Sequence, residues 1–83
     1  MMIQVEQNNS ITLERARLQV RKIANAKDLR AVAFQWTWAA GYFMALVSEK
    51  LIDEDTKREL DAEADRARDE WKAPTEVKPA DCD

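Results

Sequence analysis

The stretch AVAFQWTWAAGYFMALV, residues 31–47, decides the fold of this chain. It runs seventeen positions without a charged residue, and it holds every Phe and Tyr of the chain and two of its three Trp residues. A helix of this composition is apolar on more than one side, which is typical of a helix that is buried on several sides. The rest of the chain is too charged to cover all of that surface. The stretch therefore predicts contact with another molecule.

A helix predicted over about residues 29–50 carries two apolar faces when residues are placed at about 100° intervals. The first face, expected in the core, carries Leu29, Val32, Trp36, Ala39, Ala40, Phe43 and Val47. The second face, expected to be left over, carries Phe34, Trp38, Tyr42 and Ala45. Between them runs a row of small residues that would let another helix approach closely, namely Ala33, Thr37, Gly41 and Ala45.

A first helix is predicted to start near Ser10 or Thr12, where a side-chain hydroxyl would accept a hydrogen bond from a free amide of the first turn. It is expected to end near residues 25–28, with Asp28 as the N-cap of the apolar helix. One continuous helix over residues 12–49 is the alternative layout. The apolar stripe of the first helix comprises Leu13, Ala16, Val20, Ile23 and Ala24.

A third helix is predicted to follow the N-cap Asp53 and to run to about residue 72. Its apolar stripe is thin, and Trp71 is the one large side chain that would pin its end to the core. The members of the stripe are Leu60, Ala64, Ala67 and Trp71.

These elements predict an all-α fold, either a three-helix bundle or a helical hairpin with an extra helix. The expected organisation is a flexible arm over residues 1–9, a helical domain over residues 10–72 and a disordered tail over residues 73–83. A single domain of 83 residues is small for a stable core. A homodimer would supply the missing core volume, and two-fold dimers are the commonest oligomers.

The composition argues against an enzyme or a metalloprotein. The chain contains no His, which removes the commonest general base and metal ligand, and Cys82 is its only cysteine. We expect no catalytic residues, no metal site and no cofactor. Three carboxylates, Asp61, Asp65 and Asp69, share a face of the third helix. They are either a solvated surface or an acidic surface that complements a basic groove on a partner.

The distribution of charge and apolar residues bears on location and partners. Residues 1–50 carry a net charge of +3 and residues 51–83 a net charge of −6. Residues 1–9 lack the pattern of a secretory signal, and the cysteine usage suits a reducing compartment, so a cytoplasmic location is predicted. Seventeen uncharged residues form a helix of about 25 Å, shorter than the roughly 30 Å of a hydrocarbon core, and a membrane span is not predicted.

The segment GYFMALVSEKLIDEDTKRELDAEADRARDEW, residues 41–71, resembles the helical hairpins of short phage and prophage accessory proteins. In these an aromatic helix ends in a Leu-Ile-Asp-Glu type of turn, here residues 51–54, and a charged helix follows. The usual Gly after the apolar helix is missing, since Ser48, Glu49 and Lys50 stand there. The resemblance implies small proteins that bind and block host proteins, anti-CRISPR proteins among them, and it assigns no role to any residue.

The sequence therefore predicts a non-enzymatic protein-binding module, a phage-encoded inhibitor that occludes a protein in the host cytoplasm. The expected contact residues are Phe34, Trp38 and Tyr42, followed by Asp61, Asp65 and Asp69. A structural or assembly protein of a phage particle is one alternative. The other is a small DNA-binding regulator that uses the basic residues of the first helix, although these do not lie on one helix face.

Overall fold

Three helices pack against one another in the computed structural model, which describes residues 7–74. Helix α1 spans Ser10–Ala24, α2 spans Leu29–Ser48 and α3 spans Glu54–Glu70. Each helix contacts both of the others, and no strand occurs within residues 7–74. The predicted all-α fold is confirmed in its three-helix bundle form. The tail predicted over residues 73–83 lies outside the described residues from residue 75 onward, as does the arm up to residue 6.

Carboxylate side chains start both of the later helices. Asp28 Oδ1 accepts a hydrogen bond from the amide of Ala31 at 2.8 Å, and Asp53 Oδ1 accepts one from the amide of Thr56 at 2.8 Å. Each bond satisfies an amide that has no partner within its own helix. Both predicted caps are confirmed, and the alternative of one continuous helix over residues 12–49 is wrong because the chain turns between α1 and α2.

The cap of α1 differs from the prediction. Asn9 Oδ1 accepts hydrogen bonds from the amides of Ile11 and Thr12, at 2.8 and 3.4 Å. The expectation of a hydroxyl cap from Ser10 or Thr12 is wrong, since the amide oxygen one residue earlier already serves those donors. Ser10 is instead the first residue of the helix.

The core lies between the three helices and has Phe43 as its largest fully buried side chain. On α2, Val32, Ala39 and Phe43 are buried as predicted, but Leu29 is 72% exposed and Ala40 is exposed, so their assignment to the core is wrong. Leu29 is the first residue of α2, at the end of the bundle, where no helix covers it. The complete set of buried apolar residues is Ala16, Ile23, Ala26, Val32, Ala39, Phe43, Ile52, Leu60 and Ala64.

The stripe of α1 also departs from the prediction at two positions. Ala24 is exposed rather than buried, and Gln19 is buried although it is polar. Gln19 Nε2 donates to the carbonyl of Arg15 at 3.3 Å, one turn earlier, which satisfies part of its amide. Gln19 lies on the same helix face as Ala16 and Ile23, which are both fully buried, so its aliphatic carbons belong to the core.

Trp71 holds the C-terminal end of α3 against the turn between α1 and α2. Its indole Nε1 donates a hydrogen bond to the carbonyl of Ala26 at 2.8 Å, and its ring packs against the core. The predicted anchoring role of Trp71 is confirmed. Ala26 and Trp71 together close the end of the core that lies nearest the α1–α2 turn.

The α2–α3 turn is a Schellman motif built without glycine. The amide of Leu51 donates to the carbonyl of Leu46 at 2.8 Å, and the amide of Lys50 donates to the carbonyl of Val47 at 2.9 Å. These are the two bonds of the motif, which needs a left-handed residue after the helix cap. Lys50 occupies that position with φ 62°. The turn then places Ile52 in the core, where it is buried.

The segment before α1 is held by this turn. The amide of Asn8 donates to the carbonyl of Leu51 at 2.8 Å, and its side-chain Nδ2 donates to Asp53 Oδ2 at 3.2 Å. Asn8, which lies within the range predicted to be a flexible arm, is therefore bonded to the α2–α3 turn and to the N-cap residue of α3.

Replacing Lys50 with Gly should stabilise the protein by roughly 0.5–1 kcal/mol, because glycine adopts positive φ without the steric cost that a Cβ brings. Urea denaturation followed by circular dichroism measures the change. Lys50→Ala is the matched control, since it removes the charge but keeps the Cβ, and it should leave the free energy of unfolding nearly unchanged. An equal gain from both variants would contradict this explanation.

Asp53 should make folding depend on pH in the acid range. Hydrogen bonds from Thr56, then from Asn8, lower the pKa of its carboxyl. A lowered pKa in the folded state means that the stabilisation is present above the ordinary aspartate pKa of about 4 and is lost as the pH falls through the folded-state pKa. Wild type should exceed Asp53→Asn in stability at pH 7. Denaturation curves at several pH values should show that this difference shrinks below about pH 4, and a constant difference would exclude it.

Candidate protein-binding face on α2

The side of α2 that points away from α1 and α3 is apolar and uncovered. We call it the α2 outer face and define it by residues that line a shallow groove of about 460 Å³: Phe34, Thr37, Trp38, Gly41, Tyr42 and Ala45. Phe34 is 62% exposed and Trp38 is 54% exposed. Isolated exposed apolar side chains are ordinary, whereas a continuous aromatic surface makes this face the candidate binding site of the domain.

The geometry of α2 explains why this face exists. Successive residues lie at about 100° intervals, so the side opposite Val32, Ala39 and Phe43 belongs to Phe34 and Trp38. Within residues 7–74, α1 and α3 are the helices that can cover α2, and both pack on its inner side. The structure therefore brings the predicted aromatic residues together on one surface.

Tyr42 lies at the border between this face and the core. Its ring is half-buried and meets the ring of Phe43 edge to face, with centroids 6.4 Å apart and an interplanar angle of 87°. Such pairs fix ring orientation, since the edge of one ring is attracted to the face of the other. Tyr42 is thus a rigid side wall of the groove, whereas Phe34 and Trp38 are its exposed parts.

Gly41 forms the floor of the groove. A Cβ placed on it would meet nothing within 4 Å, so the chain's own packing does not require glycine there. Glycine in a helix interior costs about 1 kcal/mol relative to alanine. Within one copy of the chain no contact offsets this loss of stability. A missing side chain on an exposed helix does, however, let another molecule approach the backbone closely.

The carboxylates predicted as a second contact surface lie on α3. Asp65 Oδ1 accepts a hydrogen bond from the indole Nε1 of Trp36 at 2.9 Å, and Asp61 Oδ2 pairs with Lys57 Nζ at 2.6 Å. Asp69 Oδ1 accepts from Arg68 Nε at 3.1 Å. Asp65 is therefore bonded to α2, Asp61 lines a groove together with α2 residues, and Asp69 lies near the end of α3 beside a basic neighbour.

Trp36 is held by α3 from two sides. The guanidinium carbon of Arg68 lies 4.5 Å from the centre of its ring, within the range of a cation–π interaction. Together with the bond to Asp65, this orients Trp36 as a structural side chain rather than an exposed contact. The acidic flank is consequently partly used in packing α3 onto α2.

Two residues at the edges of the α2 outer face were not among the predicted contacts. Met44 is 56% exposed and lies in a second groove beside Asp61 and Asp65. Lys22 of α1 lines a small depression with Phe34 and Trp38. Helical spacing could have predicted Met44 as an edge residue, because it follows Thr37 by seven residues and so lies near it on the helix surface. Nothing in the sequence indicates which α1 residue meets α2.

The basic residues of α1 are not all available to a partner. Arg17 makes two-pronged contacts of 3.2–3.3 Å with the carboxylate of Glu63 on α3. Hydrogen bonding to Glu63 and its negative charge raise the pKa of Arg17, so this side chain stays protonated. The pair links α1 to α3 and reduces the basic surface that a nucleic acid would meet.

Residues 7–74 contain no group of three or more His, Cys, Asp or Glu side chains arranged to hold a metal ion. In the same part of the chain, no helix combines the length and apolarity that crossing a membrane demands. Comparisons with family models, with curated proteins and with solved structures found no significant match. The resemblance to phage accessory proteins stays a prediction.

The two aromatic positions Trp38 and Phe43 should respond differently to truncation. Trp38→Ala should change the free energy of unfolding by less than about 1 kcal/mol in a dilute sample, because the side chain is exposed. Phe43→Ala should cost about 3–5 kcal/mol, enough to unfold a small domain. Circular dichroism with urea titration measures both. Unfolding of Trp38→Ala would show that Trp38 belongs to the core.

Proposed function

We propose that this chain is a non-enzymatic protein-binding module that acts by occlusion, an inhibitor encoded by a phage and directed at a host protein. The observation that carries the proposal is the α2 outer face, where Phe34 and Trp38 are exposed on a helix that is uncharged over residues 31–47. Trp is among the side chains most enriched at the few positions that dominate the binding energy of protein interfaces.

The rigidity of this face supports binding rather than catalysis. The aromatic side chains stand on the central helix of the bundle, whose inner side is fixed by Phe43, and Tyr42 is oriented by its contact with that ring. A surface held in this way loses little conformational entropy when a partner docks. The carboxylates nearest to it, Asp61 and Asp65, are bonded to Lys57 and Trp36 and are not arranged as an acid–base pair.

A protein partner fits this face better than a nucleic acid does. Nucleic-acid surfaces depend on Lys and Arg that neutralise phosphates, and the residues that line the α2 outer face are uncharged. The adjoining α3 flank is acidic, with Asp61 and Asp65 next to Met44. A target with an apolar patch bordered by basic residues would match both features, since complementary charge steers association.

The proposal predicts that capture of a target depends on Trp38. Tagged wild type, Trp38→Ala and Leu29→Ala should be used in parallel to recover proteins from a host lysate, with each bound protein quantified. Leu29 is the matched control because it is also an exposed large apolar residue but lies off the α2 outer face. We expect recovery of one stoichiometric host protein to fall at least tenfold for Trp38→Ala and to persist for Leu29→Ala.

The identity of the recovered material separates the alternatives. A single host enzyme or regulator whose activity falls upon binding supports inhibition. Virion proteins would indicate an assembly role, and recovery that disappears on nuclease treatment would indicate nucleic-acid binding. Equal recovery by Trp38→Ala and wild type would refute the α2 outer face as the binding surface.

A further inference from the structure

We infer that the α2 outer face also binds a second copy of this chain, with the two α2 helices antiparallel about a two-fold axis level with the midpoint between Ala39 and Ala40. This inference rests on the proposed function in one respect, since it takes the α2 outer face as a protein-binding surface. Beyond that function, the second copy of the chain is the bound molecule, and its α2 helix runs antiparallel in the register just given. A target bound through the same residues then has to displace the second copy.

When two copies of this face are placed antiparallel in this register, the large residues of one copy lie level with the small residues of the other. In the antiparallel register, Trp38 lies level with Gly41 of the second copy, Phe34 level with its Ala45, and Tyr42 level with its Thr37. Each large side chain therefore meets a position where the opposing helix is small. A two-fold interface must be complementary to itself, and this face meets that condition.

A parallel arrangement does not meet that condition. It would place Phe34 level with Phe34 and Trp38 level with Trp38, while Gly41 would lie level with Gly41. Bulky side chains would then hold the helices apart at some levels and leave voids at others. Close packing of large residues against small ones is the general requirement of protein interfaces, so the antiparallel direction is favoured.

Charge at the two ends of the face points to the same register. Arg30 stands one turn before Phe34, and Glu49 stands one turn after Ala45; both are exposed. The antiparallel register places Arg30 of each copy level with Glu49 of the other, which gives two attractive pairs at the rim. A parallel register would place Arg30 level with Arg30 and Glu49 level with Glu49.

The open space above Gly41 supplies a further argument. Its Cβ position is empty in a single copy, so the glycine has no role in the packing of its own bundle. Next to a second helix, the same absence lets the Trp38 ring of the other copy lie against the backbone. The glycine and the exposed tryptophan, each unexplained within one chain, account for one another in the pair.

The face is large enough for a weak to moderate dimer. Aromatic side chains of this kind contribute about 150–250 Å² each when they are fully buried, and more than half of that area is exposed on Phe34 and Trp38. With the remaining residues of five helical turns, each copy offers on the order of 600 Å², which brings the pair to the lower limit of specific interfaces, about 1,200 Å² in total. Dissociation in the micromolar range is expected.

Sedimentation equilibrium of the full chain over a hundredfold range of concentration tests the pairing. Wild type should approach twice the 9.6 kDa of one chain, and Leu29→Ala should behave in the same way. Trp38→Ala should weaken association by at least about 30-fold. Gly41→Leu should abolish it, because the new side chain occupies the space assigned to Trp38 of the other copy.

Gly41→Leu separates dimerisation from folding, because the substitution should not destabilise the single chain. Its added atoms meet open space at Cβ, and Leu has a higher helix propensity than Gly, so the monomer should gain stability. Circular dichroism with urea titration confirms folding in the same samples. A Gly41→Leu variant that dimerises as wild type does would overturn the inference.

A charge exchange tests the register. Arg30→Glu and Glu49→Arg each turn both rim pairs into like-charge pairs, and each should weaken self-association about tenfold at low salt. An equimolar mixture should restore dimers, since every rim pair in the mixed dimer is then attractive. The mixture is the control that both variants still fold and pair, and the direction is tested by the loss in each variant alone. Both changes also place favourable charges at the ends of α2, so they should not impair folding. Self-association of either variant alone that equals that of wild type would refute the antiparallel register, because a parallel pair has like charges at both rim positions before and after the change.

The two proposals fail in different ways. A wild-type chain that stays monomeric over the whole concentration range overturns the pairing. If such a monomer still loses capture of a host protein on Trp38→Ala, the proposed function stands without the dimer. If the dimer forms and Trp38→Ala does not reduce capture, the dimer stands and the proposed target site on the α2 outer face is refuted.

Discussion

The structure depends on the burial of one side of α2 between two amphipathic helices. Phe43 fills the centre of the core, and the alanines and aliphatic residues of α1 and α3 pack around it. Two neighbouring helices cover only part of the circumference of a third. Because α2 is apolar on more than one side, burying Phe43 leaves Phe34 and Trp38 at the surface. The exposed face is a consequence of the same packing that stabilises the fold.

The chain compensates for its small core with polar contacts at the ends of its helices. Asn9, Asp28 and Asp53 cap the three N-termini, and Trp71 ties the end of α3 to the α1–α2 turn through Ala26. These contacts define where each helix begins or ends, while burial of Phe43 and its neighbours sets the rotation of α2 about its axis. That rotation determines which aromatic residues are covered and which remain available to another chain.

Much of this arrangement could be predicted from residue patterns. Apolar spacing located the three helices, and the short polar residues Asp28 and Asp53 located two of their starts, because capping depends on local geometry. Predictions were wrong where the position along the bundle mattered. Leu29 shares a helix side with core residues but is the first residue of α2, where no neighbour covers it. Gln19 is buried although it is polar, because it shares a face of α1 with the buried Ala16 and Ile23.

The sequence by itself determined that α2 carries more apolar surface than one small chain can bury, and that its aromatic residues divide into two faces. It determined this because helical periodicity is a local property of the backbone. Only the tertiary structure decided which face is covered. It also placed Tyr42 at the border between the core and the α2 outer face, and Asp61 and Asp65 beside α2. It also showed that Gly41 faces open space. These features depend on how α1 and α3 are placed around α2, and that placement results from contacts between residues far apart in the chain.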